Sequence, residues 1–128
     1  MAAATASRLS IVCFGEILWD VLPRGTFLGG APLNVAAHLA RLGEAAALVS
    51  RVGPDERGLA AMARVGELGV GSRCLQQDYA LPTGEARAVL TADGSARYEF
   101  ETPAAWDAIE FDESVRHLVA SSAALVFG

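Results

Sequence analysis

The chain has 128 residues, 52% of them hydrophobic, and a net charge of −5. That is enough apolar length for one globular core, and its scattered basic residues form no stripe of the kind that binds nucleic acid or an anionic membrane. All ten basic residues are arginine, which excludes the lysine of a G-x-x-x-x-G-K-[ST] phosphate loop and the strand lysine of protein kinases.

The opening M-A-A-A-T-A-S-R lacks the charged-then-apolar order of a signal peptide. Residues 1–8 read as a disordered tail, which fits a cytoplasmic compartment. No apolar run approaches the ~20 residues of a membrane span. Ser10 to Phe14 is a short apolar run closed by Gly15, and reads as a buried first strand. Ile17 to Leu22 is a second, carrying one charge at Asp20. Pro23-Arg24-Gly25 marks a turn, and Thr26 to Leu28 returns from it as a short strand.

Pro32 to Leu42 is the first helix. Proline suits a first helical turn, where its missing N–H would be unpaired in any case. Val35, Leu39 and Leu42 are the expected inner face, and Gly43 is the stop. Ala45 to Ser50 is a buried strand. In R-V-G-P-D-E-R-G, Asp55 is placed to cap a second helix whose expected inner face is Leu59, Met62, Ala63 and Gly66. Arg73 to Gln77 is a further short strand.

The period then changes to two. Glu85 to Thr91 and Ala96 to Glu101 flank A-D-G-S, a hairpin turn with glycine at the positive-φ position. Asp112 caps a third helix carrying Val115, Leu118 and Val119, and Ala123 to Phe127 is expected to be another buried strand. Alternating strands and helices imply an α/β fold, a mostly parallel sheet flanked by helices. The 85–101 hairpin and residues 17–28 form a separate small sheet outside that layer. The last strand has no helix after it to cover the sheet, so the chain reads as unfinished.

Few residues are candidates for chemistry. Cys13 and Cys74 lie far apart in apolar settings and read as buried thiols rather than a disulfide or metal site. His38 and His117 have no partner at metal-ligand spacing and read as surface residues. Asp20 is a carboxylate in an apolar strand, so it must meet solvent, a partner or a ligand. Gly29 and Gly30 let the backbone approach a ligand at a helix N-terminus, where N–H groups are free to donate. Asn34 adds an amide that both donates and accepts, a mixture suited to a polyhydroxylated ligand. Spacing alone leaves a ligand site and a plain tight turn equally open. Trp19 and Trp106 read as packing or as sugar-stacking surfaces. The turn after the first strand lacks G-x-G-x-x-G, against a dinucleotide site.

Taken together, Gly29-Gly30-Ala31-Pro32-Leu33-Asn34-Val35-Ala36, then Gly43 and Gly53, resembles the N-terminal signature of the ribokinase-like, or PfkB, carbohydrate kinases. G-E-I-L-W-D, V-G-P-D-E-R-G, P-T-G-E-A-R-A-V-L and P-A-A-W-D are similar to family segments too, the last pointing to a fructokinase-like branch. The resemblance runs from about residue 9 to the end. It implies ATP-dependent phosphorylation of a sugar hydroxyl, with Mg2+. It implies that Asp20 and Asn34 bind sugar hydroxyls, that Gly29 and Gly30 admit the sugar, and that strands 17–28 and 85–101 are a lid excluding water. Arg97 lies near the place where relatives often carry a sugar-binding arginine; Glu101 stands closer to that place, which favours a neutral sugar over an acidic one. The resemblance also brings in a lid-mediated homodimer. The family's D-T-x-G-A-G-D type motif, with its anion hole and general base, is absent, as is a nucleotide pocket. The chain is therefore expected to be the N-terminal sugar-binding and lid half of a kinase, inactive alone, or a non-catalytic sugar-binding or interaction module derived from one.

Overall fold

A computed structural model of the chain describes residues 10–128; the tail expected at 1–8 lies outside the described residues. Four strands make the main sheet, β1 (Ile11–Phe14), β4 (Ala46–Val52), β5 (Leu75–Gln77) and β8 (Ala124–Phe127), in the order β5-β4-β1-β8, all parallel. β2 (Leu18–Leu22), β3 (Gly25–Gly29), β6 (Gly84–Leu90) and β7 (Ala96–Phe100) form a second sheet in the order β3-β2-β6-β7. Its outer pairs are antiparallel and its central β2–β6 pair is parallel. The separate small sheet expected outside the main layer is therefore present, and Gly94 takes the hairpin's positive φ of 83°.

β4 lies between two parallel neighbours under helical cover, and all seven of its residues are buried. The core on one side joins Cys13, Leu48 and Val52 to Leu33 and Ala36 of α1 (Ala31–Arg41) and to Ala61 and Val65 of α2 (Glu56–Glu67). On the other side Val12, Val49 and Cys74 pack against Val115 of α3 (Glu113–Ala120). Asp55 and Asp112 cap α2 and α3 as their spacing predicts, accepting from Gly58 N at 2.8 Å and Val115 N at 2.9 Å. Both cysteines are free and buried, and both histidines are exposed.

Three expectations are corrected. α1 buries Pro32, Leu33 and Ala36, while Val35 and Leu42 stand exposed. α2 buries Gly58, Ala61 and Val65, while Leu59, Ala63 and Gly66 face out. In both helices the buried stripe is rotated from the expected one, onto Leu33 and Ala36 in α1 and onto Ala61 and Val65 in α2, so it is the helix's rotation against the sheet and not residue size that sets the inner face. β8, expected to be buried, is an edge strand: Val126 packs against the core, while Leu125 and Phe127 stand exposed with no element over them among the described residues.

Candidate active site

β1 ends at Phe14, and the turn that follows sends β2 out of the main sheet into the small one. β3 returns to Gly29 and runs directly into α1. Asp20, Gly29 and Gly30 therefore converge where the small sheet meets the C-terminal edge of the parallel strands, the usual ligand crevice of an open α/β sheet.

The register decides which side chains share a face. Asp20 pairs with Phe27 on one side and Ala86 on the other, and Ala86 pairs with Phe100. Asp20, Ala86 and Phe100 consequently project from the same face of the small sheet. Leu18 joins them, two residues before Asp20. Below this face is a cavity of about 460 Å³, bounded by Leu18, Phe100 and Trp106 from above and by Phe14, Gly15, Glu16 and Gly128 from the main sheet. Trp106 meets Phe100 edge-to-face at 6.3 Å. It stands in a short 3-10 turn (Ala105–Ala108), where Asp107 accepts from Trp106 Nε1 at 2.9 Å.

The Asp20 side chain makes no hydrogen bond or ion pair among the described residues. Burial pushes its carboxyl pKa above the ordinary 3.8. Its Oδ2 lies against Gly29, at the position a Cβ there would occupy. Gly30 has φ 111°, and a Cβ on it would come within 2.5 Å of the Glu16 carbonyl oxygen. Glycine is required at 30 by its φ and by the Glu16 backbone, whereas at 29 its missing side chain makes room for the Asp20 carboxylate.

Asn34 lies one turn into α1, its N–H donating to Gly30 O at 2.9 Å. Its side chain is exposed and borders a groove of about 690 Å³ between α1, α2 and β3, whose wall includes Trp19 and Leu28. Trp19 and Leu28 are paired on the face of the small sheet opposite Asp20. Asn34 is thus near Gly30 in the chain but opens onto a different concavity. Arg97 is not brought to Asp20 either. It pairs with Val89, three residues from Phe100, on the far face, and its guanidinium holds Glu99 at 2.7 Å. Trp19 is a packing residue, its Nε1 donating to Arg57 O at 3.0 Å.

Glu16 is the residue that sequence reading missed. α1 has Gly30 as its N-cap and no acidic residue in its first turn. Glu16 supplies the carboxylate from the preceding turn, accepting from Ala31 N at 3.1 Å. The G-E pair after β1 was the available signal. This occupancy bears on nucleotide binding: the one helix start in the crevice already holds a carboxylate, which disfavours a phosphate there. No cluster of three or more His, Cys, Asp or Glu suited to a metal occurs among the described residues. No helix among them is long and apolar enough to cross a membrane.

Comparison with known proteins gives one consistent outcome. The pfkB family carbohydrate kinase profile matches residues 9–128. Fructokinase-1 of Zea mays is 34% identical, over 96% of this chain and 42% of that protein. Among solved structures, fructokinase from Xylella fastidiosa with bound ATP superposes with a TM-score of 0.71 at 30% identity, covering 92% of this chain and 48% of that one. Fructokinase from Vibrio cholerae, in its fructose, ADP and calcium-bound form, superposes with a TM-score of 0.66 at 26% identity, over 79% of this chain and 35% of that one. The chain spans less than half the length of these proteins.

Proposed function

Because this chain belongs to the pfkB family of carbohydrate kinases, we propose that it provides the sugar-binding and lid portion of an ATP-dependent kinase that phosphorylates a hydroxyl of a neutral, fructose-like sugar. The observation that carries this reading is Asp20, a partly desolvated carboxylate whose side chain has no partner among the described residues, set on the face of the small sheet that overlooks the crevice. A carboxylate accepts from two adjacent sugar hydroxyls, replacing the water it has lost. Gly29 and Gly30 leave room for the sugar beside it, and Phe100 and Trp106 offer apolar cover for the ring's C–H face. Asn34 opens onto the groove behind the small sheet and takes no part in this contact. Arg97, on the far face, has no part in it.

Phosphoryl transfer, in this proposal, belongs to the length of kinase that this chain does not span, where ATP and Mg2+ are held. The chain by itself binds sugar without turnover. Two free, buried cysteines support a reducing compartment, and we place the protein in the cytoplasm. A dimer through the small sheet is part of the same proposal, supported by the exposed Phe27, Tyr98 and Leu90 on it.

Titration calorimetry with fructose, ribose and a sugar acid tests the reading. Fructose heats that vanish in Asp20→Ala support it. Equal, Asp20-independent responses to all three sugars would sink it.

A further inference from the structure

Resting on the sugar-binding reading of Asp20, we propose that the first turn of α2 is the positioning element for the sugar-binding strand: Asp55, Arg57 and Thr83 set the pose of β2 without touching the sugar. The two central strands of the small sheet, β2 and β6, are parallel and meet at Leu18 and Gly84, the residues where each leaves the main domain. That turn holds both of them at this root.

The β6 side is held by Asp55. One of its oxygens accepts from the Thr83 hydroxyl at 2.6 Å and the other from Thr83 N at 2.9 Å. Thr83 is buried, and its hydroxyl oxygen also accepts from Gly53 N at 2.9 Å. A Cβ on Gly58 would strike the Gly53 carbonyl oxygen, so the capped turn sits directly on the end of β4. The β2 side is held by Arg57. Its carbonyl accepts from Trp19 Nε1 at 3.0 Å, and its guanidinium pairs with Glu85, which is the cross-strand neighbour of Trp19.

Trp19 and Glu85 project from the face opposite Asp20. Fixing Trp19 from behind fixes which way the next residue points, so these tethers set Asp20 on the face of the small sheet that it shares with Leu18 and Phe100, which bound the crevice. Two hydrogen-bonded tethers from one helical turn leave the small sheet little freedom to tilt at its root. The V-G-P-D-E-R-G segment thereby acquires a role in sugar binding besides capping a helix.

Hydrogen–deuterium exchange on the whole chain, with and without fructose, tests this with Thr83→Val, Thr83→Ser and Trp19→Phe. Thr83→Val keeps the shape and removes the hydroxyl; Trp19→Phe keeps an aromatic ring and removes the Nε1 donor. The expected result is faster exchange in β2 and β6, with β1, β4 and α3 at wild-type rates, and about tenfold weaker fructose binding, as for a lost hydrogen bond to a charged group. Thr83→Ser should restore both. Uniformly faster exchange across the chain, or small-sheet amides unchanged in both Thr83→Val and Trp19→Phe, would overturn the proposal. If fructose alters nothing in the wild-type chain, the sugar reading falls, while the comparison of small-sheet exchange still decides whether the turn positions β2.

Discussion

Asp20 Oδ2 rests against Gly29 at the place where any larger residue would carry its Cβ. The two residues lie diagonally across the β2–β3 pair, since Leu18 faces Gly29 and Asp20 faces Phe27. The missing side chain at 29 is therefore what leaves room for the carboxylate in this pose. Gly29→Ala should displace Asp20 and weaken fructose binding about as much as Asp20→Ala does, on the order of tenfold to a hundredfold for lost charge-assisted hydrogen bonds. Calorimetry on both single variants and the double variant checks this. The double variant should be no weaker than Asp20→Ala alone.

Protonation of Asp20 offers a second handle. Burial raises its pKa above 3.8, so the folded chain takes up this proton at a higher pH than the unfolded chain does. The ionised carboxylate thus costs stability. That cost is fully present above the folded pKa and disappears as pH falls through the window down to 3.8. Asp20→Asn should melt slightly higher than wild type at neutral pH, with the gap closing toward pH 3.8. Fructose affinity should fall on acidification with a midpoint above 3.8 in the wild type and lose that step in the variant. Thermal melts and calorimetry across pH measure the two effects.

Asp78 behaves in the opposite sense. The backbone N–H groups of Leu81 and Ala80 and the Arg51 guanidinium at 2.7 Å hold its pKa down at about 2. Its contribution to stability is present above the unfolded value of 3.8 and is lost as pH falls toward about 2. Asp55 adds in the same direction: burial raises its pKa, but the bonds from Thr83 and Gly58 outweigh burial and leave it lowered. Arg51→Gln should move the acid-unfolding midpoint to higher pH, read by circular dichroism, whereas the exposed Arg116→Gln should leave it in place.

Phe100 and Trp106 form an edge-to-face pair over the crevice. Phe100→Leu should cost about 0.5–1.5 kcal/mol for the lost aromatic pair. Trp106 emission should shift to longer wavelength as water reaches the ring. Fluorescence of Phe100→Leu in a Trp19→Phe background, which leaves Trp106 as the sole tryptophan, is compared with Trp19→Phe alone so that the loosening caused by the lost Trp19 bond cancels.

Leu48→Ala tests the core. Leu48 is fully buried in the central strand β4, between the two helices of one face. Truncating it should cost about 2–5 kcal/mol through lost burial and an unfilled cavity. Urea unfolding should show a lower midpoint with an unchanged slope.

Strand and helix order, the hairpin, the caps at Asp55 and Asp112 and the glycine-rich approach to α1 were all legible along the chain, because period, turn chemistry and capping are local properties. Asp20 stood out for a local reason too, as a charge in an apolar run. What the chain could not reveal was which side each residue takes. Val35 and Leu59 look like core residues by size, but each helix is rotated so that Leu33 and Ala36, and Ala61 and Val65, meet the sheet instead. Arg97 and Asp20 look like partners by motif, but a strand alternates its faces, and β7 stands in a register that turns Arg97 away. Glu16 meets Ala31 across fifteen residues, and Asp55 meets Thr83 across twenty-eight. Contacts of that range depend on how the small sheet is set against the main one, and that is a property of the tertiary fold alone.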